Sequence, residues 1–159
     1  MIRFVCGDIL AAPLDFAIVV PVNVMGVAGT GLAKQVADRY PLWLSAYKIL
    51  CRNKHLVSAG DIVVTNTPQC ERQWWINFAT KNHWRDASDL SAVEKGLKAM
   101  AGLENLPQKF VIPALGCGLG GLLWDQVKPL ILEHLSGLDR MIWVFEPYGG
   151  NNESQGHSP

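Results

Sequence analysis

Apolar and polar positions along this chain alternate between two rhythms. Short apolar runs recur between segments of helical spacing, the pattern of a sheet covered by helices. Ile2 to Cys6 predicts a first strand and Ala17 to Val22 (AIVVPV) a second. The second is apolar throughout, as a strand buried on both faces requires. Leu32 to Tyr40 predicts a helix that stops before Pro41, because a proline disfavours helical backbone in the residue before it. Leu42 to Asn53 predicts another helix. Strands are expected at Asp61 to Asn66 and at Trp74 to Phe78. Leu90, Val93, Leu97 and Met100 fall on one helical face, with Ser88 or Asp89 as the N-cap. Lys109 to Ala114 reads as a fifth strand and Met141 to Phe145 as a sixth. Between them a helix runs from about Asp125 to Leu135, with Pro129 placed early, where a proline does less damage. These elements make one α/β domain. The polar segment from Gly149 to Pro159 is expected to be disordered.

Composition narrows the class. At 159 residues, 49% hydrophobic and 18% charged, the chain is an ordinary single globular domain. Its formal net charge of zero argues against a protein that coats nucleic acid. The four cysteines form no CxxC pair and the four histidines share no ligand spacing, so no metal and no cofactor are expected. Free thiols suit a cytoplasmic setting. Asp8 interrupts the start before any signal-like apolar stretch forms. The uncharged stretch Phe16 to Leu32 contains Pro21, Asn23, Gly26, Gly29 and Gly31, so it reads as a strand entering a loop rather than a membrane span.

Two glycine loops carry the candidate chemistry. Gly26 to Gly31 and Gly116 to Gly121 each follow a strand and precede a helix. An α/β sheet binds its ligands there, at the carboxyl ends of the strands. Glycine lets a ligand approach the main-chain N–H groups, and a helix N-terminus adds positive potential, so a phosphate or diphosphate fits. Gly116, Gly118 and Gly121 also satisfy GxGxxG, the dinucleotide fingerprint. Its acidic partner would be Asp139 or Glu146, but too little chain follows to build a nicotinamide-binding half and a substrate domain.

The segments Gly7-Asp8-Ile9, Pro21 to Ala33 (PVNVMGVAGTGLA) and Ile112 to Leu122 (IPALGCGLGGL) resemble the macrodomain family over about residues 2 to 147. The resemblance implies a three-layer α/β/α fold, residues 1–148, with a central mixed, mostly parallel sheet of about six strands. It implies ADP-ribose as the ligand. Asp8 would take the adenine amino group, with Ile9 beside it. Asn23 would face the distal ribose. Gly26, Val27, Gly29, Thr30 and Gly31 would wrap that ribose and one phosphate, and Gly116, Cys117, Gly118, Leu119 and Gly120 the diphosphate.

Ile76 to Arg85 (INFATKNHWR) is more specific. It is similar to the macrodomains of DNA ADP-ribosyl glycohydrolases, antitoxins that remove ADP-ribose from thymidine in DNA. That resemblance implies Lys81 and Asn23 as the catalytic residues and an ADP-ribosylating toxin as the functional counterpart. Ala79 stands where the group often has proline, and Val20 where it often has another asparagine. A sibling group that acts on protein-linked ADP-ribose uses an aspartate where this chain has Gly120.

The chemistry is coherent. Releasing the distal ribose needs a nucleophile or an activated water at its anomeric carbon. A lysine attacks only as the neutral amine, and burial beside Trp84 and Phe78 would favour that form. The alternative for Lys81 is an exposed loop lysine. Beside it, Arg85 would meet a DNA phosphate and Trp84 stack on a base, with His83 adjacent. The competing reading packs Trp84 under its own loop. Cys117 is expected to line the loop rather than react. Two other functions stay open: a reader that binds ADP-ribose without cleaving it, and a hydrolase of ADP-ribosylated protein or an ADP-ribose derivative.

Overall fold

The computed structural model describes residues 1–147, so the polar segment 149–159 lies outside the described residues. The elements run β1 (Ile2–Val5), β2 (Ala17–Asn23), α1 (Gly31–Arg39), α2 (Pro41–Arg52), β3 (Ile62–Asn66), β4 (Trp74–Lys81), α3 (Leu90–Ala101), β5 (Lys109–Ile112), α4 (Trp124–Leu135) and β6 (Met141–Phe145). A short 3-10 helix, Ile9–Ala11, follows β1. The six strands form one sheet in the order β1-β6-β5-β2-β4-β3. Every pairing is parallel except β3 with β4.

Alternation along the central strands builds two cores. Ala17 and Val19 of β2 and Ile76 and Phe78 of β4 face α3 and α4, joining Leu97, Met100, Val127 and Ile131. Ile18, Val20 and Val22, with Trp75 and Ala79, face α1 and α2 and join Val36, Trp43 and Tyr47. Both faces are covered, which explains why β2 reads as continuously apolar. Three layers, α/β/α, result.

The two cores differ in chemistry. In the α3/α4 core, Gly96 is required because a β-carbon there would lie 2.3 Å from the Phe78 ring. The α1/α2 core carries buried polar groups, several of them tied into hydrogen-bond networks. The Trp43 indole donates to Asn77 Oδ1 at 2.9 Å, and Asn77 Nδ2 donates to Val63 O and Thr65 Oγ1, each at 3.0 Å. Arg72 is fully buried. Its guanidinium donates to four main-chain carbonyls, those of Leu10, Ala12, Pro13 and Phe16. Burial holds its pKa below the ordinary arginine value. This fork ties the segment after β1 to the start of β2.

Element boundaries depart from the sequence reading at two functional places. β4 extends to Lys81 instead of ending at Phe78, so Lys81 is a strand end and not a loop residue. The cause is pairing: beyond Phe78, β4 stays paired with β2 through Ala79 and Lys81, which outweighs local polarity. β5 ends at Ile112, before Pro113. Pro129 sits inside α4, which continues through it to Leu135.

Replacing Arg72 by leucine is expected to take the side-chain donor from four main-chain carbonyls, of which Pro13 O keeps the Phe16 N–H. At about 1–3 kcal/mol for an unsatisfied buried group, stability should fall by about 3 kcal/mol or more in urea denaturation. Arg72→Lys should recover little, since a point-like ammonium cannot replace the planar fork.

Candidate functional site

A cavity of about 430 Å³ opens at the carboxyl ends of β2, β4 and β5. Asn23, Val27, Lys81, Trp84, Ser88 and both glycine loops line it. Another hollow, of about 420 Å³, lies at the opposite end of the sheet around Trp74, Leu106 and Lys109. It gathers no residue singled out by the sequence.

Asn23 organises the first loop. Its Oδ1 accepts from Met25 N at 2.9 Å, from Val27 N at 3.4 Å and from the Tyr47 hydroxyl at 2.9 Å. Its Nδ2 donates to Val27 O at 2.8 Å. The carbonyl oxygen is therefore spent on the fold, and one amide proton is left for a ligand. Burial raises the Tyr47 phenol well above its ordinary pKa, so it stays a neutral donor to Asn23. The side chain predicted to face a ribose is thus also the brace of the loop that would wrap it.

Beyond that brace the chain turns into α1. Gly26 adopts φ +78° and packs against Lys48 and Cys51, outside the cavity lining. Val27, Gly29, Thr30 and Gly31 line the cavity with Leu32 and Ala33. Thr30 is the N-cap of α1 but makes no side-chain capping bond. The first-turn N–H groups have no partner inside a helix, so this end of α1 presents donors and positive potential to the cavity.

In the second loop, Gly116, Gly118, Leu119 and Gly120 line the cavity and Cys117 does not. Cys117 is buried in the α3/α4 core, its N–H donates to Ala114 O, and burial pushes its thiol up to about 12. It shapes the loop and is not available as a nucleophile. Leu119 is 74% exposed at the cavity mouth. Gly116 and Gly121 turn the chain at φ +72° and +80°. Glu146, the acidic residue the dinucleotide reading needs, is engaged elsewhere. Its Oε2 accepts from Trp124 Nε1 and Lys128 Nζ, each at 3.1 Å.

Lys81 enters the site through a register irregularity. Val22 pairs with Ala79, but Asn23 pairs with Lys81, so Thr80 has no opposite residue on β2. A bulge of this kind re-aims a strand end. It sets the amine-bearing residue beside the amide-bearing one, both in the cavity wall. Trp84 shares that wall, whereas Phe78 is sealed in the core against α3 and does not. Trp84 is 47% exposed, which excludes the reading that packs it under its loop. Arg85 lies over its ring at 4.6 Å and His83 stacks at 5.3 Å. Ala79 donates its N–H to Asp61 O, a bond that a proline there would forfeit.

Asp8 and Ile9 stand apart from this cavity. Asp8 Oδ1 caps the 3-10 helix by accepting from Leu10 N at 2.9 Å, and Ile9 is nearly buried. They follow β1, which is four strand steps from β4. At about 4.8 Å per step, a ligand spanning from Lys81 to Asp8 would cover roughly 19 Å. Val20 is sealed in the α1/α2 core and lines no part of the cavity.

Gly120 is closed to any side chain. A β-carbon there would lie 2.3 Å from Ser88 Oγ and 2.5 Å from Gly116 O. Gly120→Ala is therefore expected to displace the second loop, to lower stability by about 1–3 kcal/mol in urea denaturation, and to weaken binding of the ADP-ribose expected from the sequence at least ten-fold by calorimetry. Asn23→Ala should lower both affinity and stability, the latter by about 2 kcal/mol for bonds left unmade.

Comparison with known proteins agrees with this architecture. The family model described as "Macro domain" matches residues 19–131. The chain is 37% identical over 150 residues to a DNA ADP-ribosyl glycohydrolase of Thermus aquaticus, covering 92% of this chain and 41% of that protein. It is 35% identical to the DNA ADP-ribosyl glycohydrolase of Mycobacterium tuberculosis, covering 98% of this chain and 45% of that one. It thus spans less than half the length of these curated relatives. Among solved structures, the macrodomain of Thermus aquaticus DarG superposes with a TM-score of 0.84 at 39% identity, covering 92% of this chain and 99% of that one. Thermosipho africanus DarTG in complex with ADP-ribose gives 0.85 at 27% identity, covering 97% of this chain and 45% of that one. The sequence motifs, the three-layer fold and the family match agree: this chain belongs to the macrodomain family.

Proposed function

We propose that this macrodomain binds ADP-ribose in the cavity and releases it from ADP-ribosylated DNA. One observation carries the reading: the register irregularity that sets Lys81 beside Asn23, in the cavity that both glycine loops line. The names of the DNA ADP-ribosyl glycohydrolases support the substrate. A relative from Thermosipho africanus is named a fusion of a DNA ADP-ribosyl transferase with a DNA ADP-ribosyl glycohydrolase. That supports an ADP-ribosylating enzyme as the functional counterpart of this domain, and an antitoxin role. Among the described residues no helix is long and apolar enough to cross a membrane.

In this reading the first-turn donors of α1 and the second loop hold the diphosphate. The remaining Asn23 amide proton meets the distal ribose. The amine lone pair of Lys81 Nζ attacks the anomeric carbon, so the N–C bond forms as the bond to the base nitrogen breaks. The base leaves with the electron pair and takes up a proton, while the amine loses one. Water then cleaves the lysine adduct, restoring the amine and freeing ADP-ribose. Trp84, beside Arg85 and His83 and about half exposed, offers an aromatic surface to a base at the cavity mouth. Arg85 meets a neighbouring phosphate. The zero net charge fits contacts confined to a few nucleotides.

The test is release of ADP-ribose from an ADP-ribosylated single-stranded oligonucleotide. Lys81→Ala should lower the single-turnover rate by at least a hundred-fold while ADP-ribose still binds. Tight binding without release by the wild type would make the domain a reader or an enzyme for another linkage. Trp84→Ala should slow release from the oligonucleotide about ten-fold, in line with about 1–3 kcal/mol per stacked base. Affinity for free ADP-ribose should not change.

A further inference from the structure

Ser88 stands between β4 and α3, outside both glycine loops and outside the segment that resembles known hydrolases. It is 8% exposed and lines the cavity. Its hydroxyl is buried without a hydrogen-bond partner. Its main-chain N–H donates to Gly120 O at 3.0 Å, which fastens the second loop to the start of α3. Its side chain also fills the room that β-carbons on Gly116 and Gly120 would need. An orphaned buried hydroxyl costs about 1–3 kcal/mol. Of the buried side-chain groups without a partner among the described residues, that of Ser88 alone lines the cavity, where a ligand can meet it.

We infer that Ser88 is a ligand-binding residue whose hydroxyl donates to the diphosphate of the bound nucleotide. This rests on the reading of the cavity as an ADP-ribose site. Three observations lead to a phosphate oxygen. The loop against Ser88 is rich in glycine. The N–H groups of Gly118, Leu119 and Gly120 make no main-chain hydrogen bond among the described residues. Cys117, the remaining loop residue that could offer a side chain, is turned into the core. Ser88 thus supplies the side-chain donor of a cradle otherwise made of main-chain donors. Gly120 lies over the hydroxyl, so the contact requires the Gly118–Gly120 segment to shift. The left-handed glycines Gly116 and Gly121 at its two ends provide the turning points.

The test is calorimetric titration of wild type, Ser88→Ala and Ser88→Cys with ADP-ribose and with ADP, beside thermal melting without nucleotide. Serine to alanine keeps the β-carbon that packs under the loop. Cysteine keeps the volume and offers only a weak donor. Both variants should bind ADP-ribose and ADP about ten-fold more weakly than wild type. The melting temperature of Ser88→Ala should not fall, because the change removes a buried unsatisfied group. Unchanged affinity for both nucleotides, with the wild type binding well, would overturn the inference and leave the cavity reading standing. Weaker binding of ADP-ribose alone would move the hydroxyl from the diphosphate to the distal ribose and overturn it too. A drop in melting temperature that accounts for the lost affinity would make Ser88 a packing residue. Failure of the wild type to bind either nucleotide would sink the cavity reading, and this inference with it.

Discussion

The side-chain amide of Asn23 is the point on which this site turns. It ends β2, fixes the loop through Met25 and Val27, and receives the Tyr47 hydroxyl from α2. Strand, loop and helix are therefore set relative to one another by one residue. The single proton of that hydroxyl is shared with the main-chain carbonyl of Asn23, whose oxygen lies 2.6 Å away. A buried amide with so many partners is costly to disturb, because each broken bond leaves a group unsatisfied out of reach of water. The donors of α1 reach the cavity only because this loop is held.

The rest of the α1/α2 layer follows the same logic. Asn77 joins groups on α2 and β3, and Arg72 gathers four carbonyls of the segment between β1 and β2. The opposite core relies on apolar packing and on close approach at Gly96. Polar partners fix particular geometry, whereas apolar packing supplies bulk stability. The layer that anchors the first loop is the one in which geometry is fixed by directional bonds. The second loop is fastened differently, by the Ser88 N–H and by the lack of room at Gly120.

Much of the fold was legible in the sequence. The order of strands and helices follows from apolar periodicity, and β2 declared itself buried on both faces by being apolar throughout. Both glycine loops were placed correctly between a strand and a helix. Less could be read where side chains turn away from expectation. Cys117 sits in the loop by sequence but in the core by position. Phe78 is three residues from Lys81 yet plays no part in its surroundings. Arg72 and Ser88 carry no motif, because their roles come from carbonyls and glycines distant in the chain.

Sequence alone determined the periodicities, the glycines that allow a ligand close to the backbone, and the presence of an asparagine, a lysine and an aromatic-basic cluster in suggestive places. These are local properties, set by each residue and its near neighbours. Tertiary structure decided which of them meet. Lys81 lies beside Asn23 because two parallel strands pair with one residue left over, and register is a property of two segments together. Gly120 must remain glycine because Ser88, thirty-two positions earlier, occupies the space beside it. Pairing and exclusion of this kind arise from chain segments brought together by burial, and no window along one segment contains them.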